Sequence, residues 1–245
     1  MAVLVTRPSP DIDRTAEALR ARGFEVLLAP MLRFEPVPLP AVLGEDYGAL
    51  IVTSANALRA VAPQLENSAL KKRSLFVVGA QTASAAREAG FAKVVSADGD
   101  AADLRDLIVD GVKQRLFRKR DTLLYLAAAD VSRDLAGELA AHGLNVVTQT
   151  VYRMAPVATL PPEVCHAFAA NGIDAVLHYS RRSAEAFVAA AQSGGVEISA
   201  LAVPQCCISA TVAEVLREAG AARVTAAAKP DENELFEGLA RALRS

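Results

Sequence analysis

Apolar and polar positions along this chain follow one repeated order. A short apolar run comes first, then a turn, then a stretch with helical spacing, then glycine and a second apolar run. Four segments share it: "VLVTRPSPDIDRTAEALRARGFEVLLAP", "LFVVGAQTASAAREAGFAKVVS", "TLLYLAAADVSRDLAGELAAHGLNVVTQT" and "QCCISATVAEVLREAGAARVTA". Gly23, Gly90, Gly143 and Gly220 each follow the last helical turn, where a left-handed residue ends a helix at little cost. Two further segments, "DYGALIVTSANALRAVAPQL" and "IDAVLHYSRRSAEAFVAAAQ", carry an apolar run ending in serine and then a helix. Apolar runs alternating with helices predict βα units and a largely parallel sheet.

The units pair as an internal duplication with an offset of about 120–130 residues. The first segment matches the third, "ALIVTSANALRAV" matches "AVLHYSRRSAEAF", and "VVGAQTASAAREAGFAKVV" matches "CCISATVAEVLREAGAARVT". Two proline clusters, "FEPVPLP" and "APVATLPPE", divide the chain into pieces of roughly 35, 120 and 85 residues. The first piece is too small to bury a core of its own, so it joins the last. The expected fold is α/β: two similar three-layer domains with parallel sheets, joined by a two-stranded linker hinge. One domain takes residues 1–34 and 160–245, the other 41–153, with linkers at 35–40 and 154–159. A hinge between two α/β lobes predicts a cleft.

Composition narrows the functional classes. At 52% hydrophobic and 22% charged, the chain reads as a globular protein without the long apolar run of a membrane span. The start, "MAVLVTRPSP", lacks the features of a signal peptide, and three cysteines do not make a disulfide framework. A cytoplasmic protein with no membrane partner is expected. The formal net charge of −2 argues against a general nucleic-acid binder. The basic run "KQRLFRKRD" from Lys113 to Asp121 reads as a solvated connecting surface, with a phosphate-binding patch as the other reading.

In an open parallel sheet, ligands bind beyond the carboxyl ends of the strands. Those ends carry Thr6 and Arg7, Thr53 and Ser54, Gly79 through Thr82, Ser180, and Ser209 through Thr211. Free backbone N–H groups at helix starts suit carboxylate or phosphate. Taken singly, Ser54, Thr82, Ser180 and Thr211 also read as helix N-caps. No G-x-G-x-x-G follows a strand, and neither a phosphate-binding G-x-x-x-x-G-K-[ST] nor a G-x-S-x-G elbow occurs. Cys165-His166 and Cys206-Cys207 lack metal-ligand spacing, and the cysteines read as small buried hydrophobes. Neither metal nor cofactor is expected.

The ordered set of motifs resembles the uroporphyrinogen-III synthase family over nearly the full length. It comprises "VLVTRP", "MLRFEP", "DYGALIVTSANALRAV", "VVGAQTAS" and "VTQTVYRM". The resemblance implies a cofactor-free, two-domain lyase of tetrapyrrole biosynthesis. Its substrate would be hydroxymethylbilane, closed to uroporphyrinogen III with loss of water and inversion of ring D. It implies Tyr152 as the group assisting hydroxyl departure, since a phenol is a proton donor at neutral pH. Thr6, Arg7, Ser54, Gly79, Thr82, Ser180, Ser209 and Thr211 would bind the substrate's carboxylates. A monomer is expected, receiving substrate by transient hand-over from hydroxymethylbilane synthase.

This sequence departs from the family at two places. The second corner usually reads glycine-proline-threonine-threonine-alanine, but here it is Ser209-Ala210-Thr211-Val212-Ala213. Val212 cannot donate to a carboxylate, leaving Thr211 as the substitute. "YLAAAD" stands in place of an arginine-glycine, and Arg181 and Arg182 are the candidate replacements for the lost cation. The altered corner motivates an alternative, a non-catalytic relative that binds a tetrapyrrole or other polyanion. A two-lobe solute-binding protein would need an export signal.

Overall fold

The computed structural model describes residues 1–40, 46–131 and 133–244. It divides into two compact units, Met1–Phe34 with Ala155–Ser245, and Glu35–Met154. The expected domain start at residue 41 lies outside the described residues.

The chain opens with β1 (Ala2–Val5), α1 (Asp11–Arg20), β2 (Glu25–Leu28) and β3 (Leu32–Pro36). It continues through β4 (Tyr47–Val52), α2 (Ala55–Val61), β5 (Ser74–Val78), α3 (Gly79–Glu88) and β6 (Lys93–Ala97). Next come α4 (Ala101–Lys113), β7 (Thr122–Ala128), α5 (Leu135–Ala141) and β8 (Asn145–Pro156). The remainder is α6 (Pro162–Ala169), β9 (Ala175–His178), α7 (Arg181–Ser193) and α8 (Glu197–Ala202), then β10 (Gln205–Cys207), α9 (Ala210–Glu218), β11 (Val224–Ala226) and α10 (Glu232–Ala242).

One sheet has strand order β11-β10-β9-β1-β2, with parallel pairing throughout. The other has order β3-β8-β7-β4-β5-β6 and is parallel from β8 to β6. β3 runs the other way along β8. The Val37 N–H donates to the Val151 carbonyl at 2.8 Å, and the Val157 N–H to the Met31 carbonyl at 2.9 Å. The chain therefore crosses between the units within paired strands, and parts of the 35–40 and 154–159 segments belong to β3 and β8.

Burial follows the pattern that helices on both faces impose. The central strands β1, β9 and β10 are buried at every residue, as expected for a covered parallel sheet. In the other sheet Phe76 and Phe117 meet edge to face, with ring centroids 5.8 Å apart. Gly111 lets α4 sit against this pair, since a Cβ there would lie 2.9 Å from Phe76 Cζ.

Polar side chains are also locked between these strands. His178, at the end of β9, is fully buried. Its Nε2 lies 2.9 Å from Gln205 Oε1, while the Gln205 amide donates to the carbonyls of Ala200 and Val203 at 2.8 Å each. Gln205 must therefore accept at Oε1, which places a proton on His178 Nε2. Burial pushes the His178 pKa from 6.5 down to about 4.

Below pH 6.5 the unfolded chain protonates this histidine, whereas the folded one does not until about pH 4. Stability is thus fully present above pH 6.5 and falls on acidification to pH 4, by on the order of 3 kcal/mol. Urea unfolding of wild type and His178→Leu across this range should show a steeper acid loss in wild type. Equal slopes would contradict the assignment.

Candidate active site

Each strand of a parallel sheet ends at the same edge, and the helix that follows starts there with unpaired N–H groups. The helices differ in how those groups are met. Ser54 caps α2, accepting from the Asn56 N–H at 3.2 Å, and Ser180 caps α7, accepting from the Ser183 N–H at 3.1 Å. The starts of α3 and α9 have no side-chain cap. The start of α1 lacks one too, but its Ile12 and Asp13 N–H groups meet the Pro8 and Pro10 carbonyls, so the first-turn N–H groups of α3 and α9 are the ones considered for an external acceptor.

At this edge of the second unit lies a cavity of about 140 Å³, lined by Thr53, Tyr125, Asp130, Arg133 and Tyr152 among others. That is roughly the space of five water molecules. Tyr152 is 7% exposed. A register shift between β7 and β8 sets it there: Ala127 faces Thr150, but Ala128 faces Tyr152, leaving Val151 as an extra residue. Such a bulge breaks the in-out alternation and re-aims side chains, and Val151 and Tyr152 are accordingly both buried. Tyr125 Oη lies 3.2 Å from Thr53 Oγ1. Burial, with a smaller contribution from Tyr152, raises the Tyr125 pKa against the lowering effect of Thr53. Tyr125 therefore stays a neutral phenol.

Arg133 brings a guanidinium to the same wall, beyond the alanines that replace the family's arginine-glycine. Its Nε and Nη2 donate to the two Glu138 oxygens at 2.6 and 2.8 Å, and Arg105 Nη1 reaches Glu138 at 3.4 Å. These arginines hold the Glu138 carboxyl below the usual carboxylate range, the Arg133 hydrogen bond contributing most.

The first unit has a larger cavity at its own strand-end edge, about 530 Å³, lined by Arg7, Arg14, Tyr179, Ser180, Asp231 and Glu232 among others. Glu232 Oε1 accepts from the hydroxyls of Thr15 at 2.6 Å and Tyr179 at 2.8 Å, and from Arg7 Nη1 at 3.3 Å. Arg7 also pairs with Asp11 at 3.2 Å and stacks 4.7 Å over the Tyr179 ring. Its charge is matched inside the protein by two carboxylates. Burial, the largest influence, raises the Tyr179 pKa and keeps that phenol protonated. Thr6 departs from its expected role: it is fully buried, with its hydroxyl donating to the Leu177 carbonyl at 2.8 Å. That hydroxyl closes onto the neighbouring strand β9.

The two matching corners have different backbones. Gly79 has φ +76° and opens α3 directly, whereas Ser209 has φ −157° and stands before α9 as an extended residue. The first corner needs glycine; the second does not. Thr82 and Val212 both occupy buried positions on their helices, at 7% and 3% exposure. The valine thus alters the packed side of α9 and not the N–H groups of its first turn. Thr211 is exposed, with its hydroxyl 3.0 Å from Ser209 Oγ. Arg181, a candidate for the missing cation, pairs through its Nε with Glu185 on the exposed face of α7 at 2.9 Å.

Tyr125, Tyr179, Glu232 and Arg133 escaped sequence reasoning. A tyrosine inside an apolar strand run reads as core, and Glu232 lies some 225 residues from its partner Arg7. Among the described residues, no group of three or more His, Cys, Asp or Glu side chains could hold a metal ion.

The family model for uroporphyrinogen-III synthase HemD matches residues 13–237. A comparison with curated proteins finds no match. Among solved structures, the chain is similar to uroporphyrinogen-III synthetase from Helicobacter pylori, with 20% identity, 99% of each chain covered and a TM-score of 0.63. It is also similar to a mutant uroporphyrinogen III synthase from the extremely thermophilic bacterium Thermus thermophilus, with 19% identity, coverage of 100% of this chain and 99% of that one, and a TM-score of 0.54. At these identities the structural matches speak for the shared fold.

The corner geometries predict unequal tolerance. Gly79→Ala should cost about 1–2 kcal/mol, because a Cβ is disfavoured at positive φ. Ser209→Ala should cost less than about 0.5 kcal/mol, because no cap is lost. Urea midpoints measure both, and equal effects would refute the distinction.

Proposed function

Because the chain belongs to the uroporphyrinogen-III synthase family, we propose that it works as a cofactor-independent lyase with Tyr152 as the proton donor. The family reaction closes hydroxymethylbilane to uroporphyrinogen III with inversion of ring D and release of water. The pyrrole expels its own leaving group, so the protein must protonate the departing hydroxyl and control which carbon closes the ring.

The observation carrying this reading is the placement of Tyr152, a buried phenol in the wall of a small cavity at the strand-end edge. Tyr152 gives its proton to the hydroxyl, which leaves as water and generates an azafulvene. Spiro closure at the substituted carbon, fragmentation and reclosure follow. The proton lost when the last pyrrole regains aromaticity returns to the tyrosinate, so atoms and charge balance over the cycle. Tyr125 and Thr53 line the same cavity and order its polar wall.

The acetates and propionates of the substrate are held by backbone N–H groups at the helix starts, chiefly the uncapped ones of α3 and α9. On this reading Gly79, Thr82, Ser209 and Thr211 belong to those two corners, while Ser54 and Ser180 shape the neighbouring ones. Arg7 orders its cavity wall through Asp11 and Glu232. The protein acts as a cytoplasmic monomer that takes hydroxymethylbilane from hydroxymethylbilane synthase in a transient encounter. Among the described residues, no helix is long and apolar enough to cross a membrane.

Incubating fresh hydroxymethylbilane with and without the protein, then separating the oxidised uroporphyrins, tests the reaction. Spontaneous closure yields the type I isomer, and a switch to type III is the expected result. Tyr152→Phe should lower kcat by roughly 10²–10⁴-fold, the usual contribution of a positioned acid, with an unchanged unfolding midpoint. Tyr125→Phe should have a smaller effect. A Tyr152→Phe protein at full rate would make that tyrosine structural.

A further inference from the structure

The basic run Lys113–Asp121 has a place in the fold that the proposed reaction does not use. A cavity of about 390 Å³ in the second unit is lined by Arg73, Arg115, Leu116, Phe117, Arg118 and Asp121, among others. Arg73 immediately precedes β5 and Asp121 immediately precedes β7, so this cavity lies at the strand-start edge of the sheet. The length of a strand, about 15–20 Å, separates that edge from the one where Tyr152 sits. Arg73 reaches it from a separate part of the chain.

Two features set these arginines apart. Their guanidinium groups form no ion pair among the described residues, unlike Arg7 and Arg133 at the other edge. Asp121, the acid of the lining, turns its carboxylate to the Arg118 backbone N–H at 2.8 Å.

The second feature is the backbone of Arg115. It has φ +58° and follows the C-cap Gln114 of α4. Its N–H bonds the Val112 carbonyl, and the Leu116 N–H bonds the Gly111 carbonyl at 3.0 Å, the pattern that closes a helix around a left-handed residue. Elsewhere among the described residues, positive φ is taken only by glycine or by Asn171. Arginine stands here against the steric preference of the position, and it lines the cavity.

We propose that this cavity is a binding site for a small multivalent oxyanion, separate from the candidate active site. Guanidinium groups pair with carboxylate or phosphate in two-pronged fashion, and three exposed arginines line one space together with Leu116 and Phe117. The carbonyl end of α4 faces the same edge and disfavours an anion, so the attraction rests on the arginines.

Calorimetric titration with inorganic pyrophosphate and with citrate, at physiological ionic strength, tests this directly and does not depend on the synthase reaction. Saturable binding of at least one is expected; pyrophosphate alone points to a phosphate ester and citrate alone to a polycarboxylate. Arg115→Gly suits the backbone and keeps the fold. It should weaken binding at least about fivefold, as should Arg73→Gln with Arg118→Gln, while hydroxymethylbilane turnover stays at the wild-type rate. Absence of saturable binding of either anion, or binding unchanged in both variants, would overturn the site. Turnover falling in step with anion affinity would overturn its separateness from catalysis.

Discussion

Strand polarity is the constraint on which the rest of this protein depends. Parallel strands must each return through a helix, so one edge of every sheet collects strand ends and helix starts while the other collects helix ends and strand starts. The first edge presents N–H groups and the positive ends of helix dipoles; the second presents carbonyls. Every candidate group for the family reaction lies at the first edge in its unit. The arginine cavity lies at the second, where fixed backbone polarity offers an anion nothing and side chains must provide the attraction.

Both units share this polarity, and they differ in details that polarity leaves free. Gly79 and Ser209 align in sequence, yet one is left-handed and the other extended. The helix starts they introduce both lack a side-chain cap. The two corners therefore enter their helices differently, and neither closes its first-turn N–H groups with a side-chain cap. Likewise, Thr82 and Val212 differ in chemistry but share a buried site, where apolar packing is as acceptable as a hydroxyl.

The sequence made the architecture legible because its signals were local and repeated. Apolar runs, helical spacing and the glycines at 23, 90, 143 and 220, all with positive φ in the structure, mark βα units without knowledge of tertiary contacts. The proline clusters marked where the chain passes between units, but not that β3 and β8 carry it there as paired strands, because strand pairing is non-local. The sites were legible in part. Ser54 and Ser180 are caps at strand ends, as helix-start chemistry allowed. The burial of Thr6 was not legible, because a hydroxyl at a strand end can turn back onto a neighbouring carbonyl. The Arg7–Glu232 pair and the gathering of Thr53 and Tyr125 at one cavity depend on residues far apart in sequence, which no motif spacing records.

The distribution of charge bears on how an octacarboxylate can be handled by a chain with a formal net charge of −2. At the strand-end edges Arg7 is matched by Asp11 and Glu232, Arg133 by Glu138, and Arg181 by Glu185. On the proposed reading a substrate carboxylate arriving there would meet paired cations and backbone N–H groups, so its recognition would depend on geometry more than on field strength. Backbone donors are fixed by the helix and need no ordering on binding, whereas a free arginine must give up rotamer freedom. A site built mainly of neutral donors can therefore hold many carboxylates without a strongly basic surface.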